Sequence, residues 1–189
     1  MRVVLLTAPG QTRRRLIFTV HHILMDGWAL AVFFTEMLAV YRAGGSLDGL
    51  PAPRPYRDYI AWLATQDTEE ALSTWTRYLS RVSGPLMLAG ATKDGVPESN
   101  TRILDATHTG RLRDWAGRSG LTLNTAVQFA WAVLLSRLTD RRDVVFGTIV
   151  SGRPEQLSGV ESMVGLFINS VPVVHEVSGT EPVTQQCLR

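Results

Sequence analysis

The chain has 189 residues and a formal net charge of +2, with 45% hydrophobic and 19% charged residues, the make-up of a globular chain with one ordinary domain or two small lobes. Its one cysteine, Cys187, excludes an internal disulfide and a zinc-type cysteine cluster, and fits a reducing cytoplasm. The arginines are scattered rather than interleaved with aromatics, and no apolar run approaches the ~20 residues of a bilayer span, so neither a nucleic acid nor a membrane partner is expected.

Residues 3–7 read as a short apolar strand, Ala8-Pro9-Gly10 as a turn, and no small-residue cleavage site marks a signal peptide. Residues 15–21 read as a second strand, apolar on both faces and hence expected to be central in a sheet. Met25-Asp26-Gly27 breaks the pattern. Leu30, Phe33, Phe34, Met37, Leu38 and Tyr41 then fall on one face of a helix that Gly44-Gly45 stops. Residues 50–55 hold three prolines and form a stiff connector. Helices are expected over 56–64 and 69–81, the second with Leu72, Trp75, Leu79 and Val82 on one face.

Residues 83–100 are rich in Gly, Pro, Ser and Asp and mark the expected boundary between two lobes. Beyond it come a strand near 101–107, a short helix over 112–118 and a long helix over 122–138. The long helix repeats Val127, Ala130, Trp131, Leu134, Leu135 and Leu138 at helical spacing. Strands at 144–150 and 170–177 flank the tight loop Ser151-Gly152-Arg153-Pro154. Mixed strands and helices give an α/β or α+β sandwich.

The stretch with the most chemistry is Val20 to Leu30, VHHILMDGWAL. If His21 and His22 both lie on a strand, their rings point to opposite faces and one ion cannot bind both. No further ligand stands at metal spacing, so no metal is expected. Two readings remain open: a buried, hydrogen-bonded histidine pair at a strand end, or one imidazole lifted into a cleft by the turn at Asp26-Gly27. A histidine held in the second way suits general base chemistry, because its ordinary pKa of ~6.5 lets it exchange a proton near neutrality. Asp26 would either orient the ring or pair with an arginine and lock the turn. No G-x-S-x-G elbow supplies a nucleophile, so the histidine would act on a substrate's own proton, in acyl transfer between two bound substrates.

His21-His22-Ile23-Leu24-Met25-Asp26-Gly27-Trp28 resembles the HHxxxDG motif of condensation domains of nonribosomal peptide synthetases, within the chloramphenicol acetyltransferase-like superfamily. Two further segments match in order. Tyr56-Arg57-Asp58-Tyr59-Ile60-Ala61-Trp62 resembles the family's YxDYAxW, and Val164-Gly165-Leu166-Phe167-Ile168-Asn169-Ser170 resembles its (I/V)GxFVNT with serine for threonine. Motifs that family members carry before the histidines and near the domain's end are not found, so the resemblance is to the middle of such a domain.

The resemblance implies an α/β, two-lobed chloramphenicol acetyltransferase-like sandwich, incomplete at both ends, its lobes forming a V with a tunnel between them. Residues 1–90 would be the second half of the N-terminal lobe and 91–189 the first part of the C-terminal lobe. It also implies peptide-bond formation between donor and acceptor thioesters on the phosphopantetheine arms of upstream and downstream peptidyl carrier proteins, beside an adenylation domain, with no cofactor bound by the domain itself. His22 would stand at the reacting centre, together with Asp26 and Gly27. His21 and Trp28 would be structural there. Asp26 would pair with an arginine, and a backbone N–H at Gly27 would face the oxyanion. Ser151, Arg153 and Asn169 are tunnel or lobe-bridging candidates, although Arg153 also reads as an ordinary surface arginine. The segments 22–28, 150–154 and 164–169 resemble subtypes that take a D-configured donor. A non-catalytic carrier-docking fragment and a stand-alone coenzyme A-dependent acyltransferase are the rival functions. With strands missing, the chain alone is expected to be poorly stable and to associate.

Overall fold

The computed structural model describes residues 1–88 and 98–188, and the lobe boundary expected between positions 90 and 91 lies outside them. The chain forms two compact units, each discontinuous in sequence: Met1–Thr68 with Ile149–Ser170, and Glu69–Thr148 with Val171–Arg189. No helix among the described residues is long and apolar enough to cross a membrane.

In the first unit, β1 (Arg2–Thr7) and β2 (Arg14–Thr19) form an antiparallel hairpin, registered from Arg2↔Thr19 to Thr7↔Arg14. The described sheet has only these two strands, so β2 is not central in it. Nor do the histidines belong to the strand. β2 ends at Thr19, and His22–Leu24 form a 3₁₀ turn with His21 as its N-cap. The reason is local: the His21 ring accepts from the Ile23 amide, and that bond bends the chain out of the ladder.

α1 (Gly27–Arg42) starts at Asp26, whose carboxylate caps the Ala29 N–H. It ends where Gly44 and Gly45 take φ of +65° and +99°, a region that side chains with a Cβ rarely enter. Phe18 of β2 meets Phe33 and Phe34 of α1 at ring-centroid distances of 5.1 and 5.6 Å, which seats the helix on the hairpin. Leu38 and Tyr41, farther along the same stripe, are exposed. After the proline connector, α2 (Arg57–Leu63) lays Tyr59 and Trp62, with Tyr56 just ahead of it, over a core of Leu157, Val160, Met163 and Phe167.

The second unit holds α3 (Thr68–Leu79), α4 (Ala106–Arg118), α5 (Leu123–Thr139), most of β3 (Asp143–Val150) and β4 (Asn169–Glu176), which pair with each other, and α6 (Val183–Cys187). The strand expected near 101–107 is absent. Asp105 instead caps the His108 N–H and starts α4 at Ala106, nearly two turns before the start that the apolar pattern alone showed. Of the residues that repeat along α5, only Leu135 is buried. Ala126, Phe129, Ala132 and Leu135 are buried, whereas Val127, Trp131, Leu134 and Leu138 are exposed. The helix is apolar nearly all round. Its small residues, Ala126 and Ala132, lie on the face that packs against its neighbours. The expected stripe of α3, Leu72, Trp75 and Leu79, is exposed as well.

Candidate active site

The site grows from one buried carboxylate. Asp26 is fully buried, and its two oxygens are occupied by protein groups. Oδ1 accepts from the Ala29 N–H at 2.8 Å, while Oδ2 accepts from Phe167 N–H at 2.9 Å and Ile168 N–H at 3.2 Å. The Asp26 amide in turn donates to the Gly165 carbonyl at 3.2 Å. One residue thus starts a helix and fastens the 165–168 segment to it. Burial alone would raise the Asp26 pKa. The backbone N–H groups of Ala29, Phe167 and Ile168, helped by the Arg153 charge, outweigh it and hold the carboxyl below the usual carboxylate range.

Arg153 is not the surface arginine that its loop suggested. Its side chain is 2% exposed, with one terminal nitrogen 3.6 Å from Asp26 Oδ1. Its Nη1 donates to the Val160 and Met163 carbonyls. Its guanidinium carbon lies 3.9 Å above the centre of the Phe167 ring and 5.6 Å from that of Trp28. A buried cation needs both an anion and a face to lie on, and the 149–170 segment supplies the face once it folds back on α1. Among the described residues Nε and Nη2 find no hydrogen-bond partner, so the Coulomb attraction to Asp26 and the ring face carry that side of the group.

The remaining motif residues are the frame around this clasp. Tyr56 donates its hydroxyl to the Leu166 carbonyl at 2.6 Å, and burial, with Tyr59 and Asp26 nearby, pushes its phenol above the ordinary range, so it stays a donor. Its ring occupies the space where a Cβ on Gly165 would sit, 2.1 Å from the nearest ring carbon. Gly152 has φ +62°, and a Cβ there would lie 1.8 Å from the Phe167 carbonyl oxygen. These two glycines therefore admit a ring and a backbone that no side chain would tolerate. Asp58 lies in the first turn of α2 and pairs with Arg54 at 3.4 Å. Trp28 donates its Nε1–H to the Glu161 carbonyl at 3.0 Å.

His21 and His22 are both exposed, which removes the reading of a buried core pair. His21 accepts from the Ile23 N–H at 3.1 Å, and His22 opens the turn. The segment carrying His22 is therefore tied at one end by the His21 cap and at the other by the Asp26 clasp, with Met25 buried between. Gly27 begins α1 with open space where its Cβ would be. Ser151 and Asn169 are exposed, and Asn169 turns its Oδ1 back to the Ser170 N–H. The hydrogen bonds of the Asp26 carboxylate run to backbone amides and its ion pair to Arg153, so this carboxylate positions the turn rather than a histidine ring.

Sequence reasoning missed three contributors: the Tyr56 hydroxyl, Gly152, and the depth of Arg153. A signal existed for one of them. A glycine followed by Arg-Pro in a tight loop hints at close backbone approach. Nothing local identifies the Phe167 carbonyl as the atom approached.

The start of α1, Arg153 and the 165–168 segment converge on one carboxylate, and the comparison with known proteins decides what that convergence belongs to. Residues 1–189 match the family model described as the condensation domain. The chain belongs to the condensation domain family. It is 41% identical over 162 residues to bacitracin synthase 3 of Bacillus licheniformis and 42% identical over 176 residues to a linear gramicidin synthase of Brevibacillus parabrevis. These alignments cover 82% and 88% of the chain but only 2% and 4% of those proteins. Among solved structures, the first condensation domain of the calcium-dependent antibiotic synthetase, in complex with substrate analogue 3a, superposes with a TM-score of 0.71 at 25% identity. That match covers 99% of this chain and 43% of the other. The α/β condensation-domain fold, chloramphenicol acetyltransferase-like in type, is thus shared along nearly the whole chain.

Proposed function

We propose that this chain carries the histidine turn of a peptide-bond-forming condensation domain in a nonribosomal peptide synthetase. The donor and acceptor would arrive as thioesters on the phosphopantetheine arms of two carrier proteins, with an adenylation domain loading one of them. The observation that carries the proposal is the Asp26 clasp: a buried, fully engaged carboxylate fixes the turn that holds an exposed His22.

The chemistry follows from that arrangement. The acceptor amine attacks the donor thioester carbonyl, forming a C–N bond, and the tetrahedral intermediate collapses by breaking the C–S bond. One proton leaves the nitrogen and one is needed by the departing thiolate. A neutral imidazole at position 22 accepts the first and returns it to sulfur, or stabilises the charged intermediate while the proton moves directly. The amide of Gly27, one of the N–H groups a helix start leaves without an intrahelical acceptor, is the candidate donor to the oxyanion. The donor residue is proposed to be D-configured, on the pattern of segments 22–28, 150–154 and 164–169, and the reaction to be cytoplasmic.

The test is amide formation between two loaded carrier proteins by the full-length protein that carries this chain. His22→Ala is expected to lower the rate by roughly 10²–10⁴, the usual worth of a positioned acid–base group. Its melting temperature should be unchanged, because the ring is exposed. An unchanged rate in folded protein overturns the assignment. Carrier binding without any product points to a docking role, and turnover of a soluble acyl-coenzyme A points to a stand-alone acyltransferase. Donors of opposite configuration, compared at equal loading, decide the stereochemical part.

A further inference from the structure

We propose that the tip of the β1–β2 hairpin is a docking site for an acidic protein segment. The proposal is independent of the reading of His22. β1 ends at Thr7 and β2 starts at Arg14; between them the Gln11 N–H donates to the Ala8 carbonyl at 3.2 Å and Gly10 takes φ +73°. An open groove of about 640 Å³ lies against this turn, lined by Leu6, Ala8, Gln11, Arg13, Arg14 and Arg15. All three arginines are exposed, and no ion pair among the described residues includes them. The cations of residues 1–25 are Arg2, Arg13, Arg14 and Arg15, and no Asp or Glu offsets them, in a chain whose net charge is only +2. The first acid in the chain is Asp26, which is buried and held by Arg153 and backbone amides. A groove lined by one sign of charge concentrates the field at its mouth and draws in the opposite sign.

The placement selects the kind of anion. Successive strand residues face opposite sides of a sheet, so Arg14 shares the side of Phe18, which packs on α1, and Arg15 takes the other. Cations on both sides of a hairpin end suit an extended chain passing over the tip better than one compact anion. Phe18 is the hairpin's only aromatic residue, and its ring is taken up by Phe33 and Phe34, which leaves none to stack a nucleic acid base. Leu6 stands opposite Arg15 in the register and is 49% exposed, so an apolar side chain of the segment finds a seat between the charges. Each guanidinium offers a planar fork that a carboxylate matches with two hydrogen bonds. The ligand class is therefore a peptide segment with Asp or Glu on either side of an apolar residue.

The probe is a fluorescein-labelled peptide with glutamates on both sides of a leucine, read by fluorescence anisotropy against the full-length protein that carries this chain. An exposed ion pair contributes up to about fivefold, so the combined variant Arg13→Gln, Arg14→Gln, Arg15→Gln is expected to bind the peptide roughly tenfold more weakly. The same three positions changed to lysine keep the charge and should bind more tightly than the glutamine variant. Binding should weaken as salt is raised, because exposed charges are screened beyond about 10 Å at 0.1 M. In the starting protein, added peptide should slow hydrogen exchange at the amides of residues 11–15, a readout that needs no variant to fold. The proposal is overturned by equal binding to the glutamine variant, by a lysine variant no better than glutamine, or by unchanged exchange at 11–15. Equal affinity for a peptide with glutamines in place of its glutamates overturns it too. Arginine-dependent binding of phosphatidylglycerol vesicles or of inorganic phosphate, without binding of the peptide, assigns the tip to a lipid surface or a small anion and likewise ends the proposal.

Discussion

Replacing Asp26 with asparagine keeps the size of the side chain and removes its charge, so it asks what the clasp contributes. An asparagine has one oxygen. Turned toward Phe167 and Ile168, it leaves its NH₂ facing the Ala29 amide, and turned the other way it leaves two donors unmatched. Each lost hydrogen bond to a charged group is worth about 1.5–3 kcal/mol. The substitution also strands the Arg153 guanidinium, 2% exposed, opposite a neutral group, and breaking a buried pair from one side costs about 3–5 kcal/mol. These terms overlap, and Arg153 keeps its bonds to the Val160 and Met163 carbonyls, so the total expected is about 3–5 kcal/mol rather than their sum. Urea unfolding followed by tryptophan fluorescence reports it, because Trp28 and Trp62 flank the clasp. The pH dependence adds a second check. The Asp26 pKa is lowered on folding, so its contribution is complete above the unfolded value of ~3.9 and is lost as pH falls through the folded value. The asparagine variant has no such group, and the gap between the two proteins should narrow only below about pH 4. A gap under about 1 kcal/mol at pH 7, or one that stays constant to pH 3, would refute the account.

Other substitutions probe the frame. Gly152→Ala meets both a positive φ and the Phe167 carbonyl at 1.8 Å, and should destabilise by about 3 kcal/mol in thermal or urea melts. Gly165→Ala drives a Cβ into the Tyr56 ring and should cost about 1–3 kcal/mol; adding Tyr56→Ala should return less stability than expected of an unrelated pair, because the Leu166 carbonyl then loses its donor. Asp143 is held well below the usual carboxylate range by Arg141 and Ser83, so Asp143→Asn should lower stability by about 1 kcal/mol at neutral pH, with the difference fading in strong acid. Burial pushes the Cys187 thiol up, so a disulfide reagent at neutral pH should label native protein at least roughly tenfold more slowly than urea-unfolded protein.

Exposed apolar surface gives the expectation of association its physical form. Val3, Leu5, Leu16 and Ile17 on the hairpin and Val127, Trp131, Leu134 and Leu138 on α5 are each more than a third exposed. Sedimentation of residues 1–189 at two concentrations measures the consequence, and concentration-independent monomer would count against it.

Much was legible locally. The extents of α1, α2, α5, β1 and β3 follow from period, proline and glycine, because the forces that start and stop these elements act within a turn of the residue concerned. The three motifs also named Asp26, Tyr56 and the 165–168 segment in advance. Other features were beyond a local reading. The strand expected near 101–107 gave way to a cap at Asp105, since a carboxylate bonded to the backbone outweighed a short apolar run. The histidines left β2 because one ring bonded the backbone two residues on.

What the sequence by itself determined is therefore the list of parts: a capped turn, an amphipathic helix behind it, and a later Gly-x-Phe segment with small residues where close approach is needed. What only the tertiary structure decided is which parts meet. Asp26 and Phe167 stand 141 positions apart, and no local rule links a helix cap to those amides. The same holds for Arg153, whose loop reads as surface until α1 and Phe167 close over it. It holds for α5 too, where two apolar faces leave the choice to the neighbours that pack against it. Periodicity and capping are short-range, whereas burial is a property of whatever else arrives.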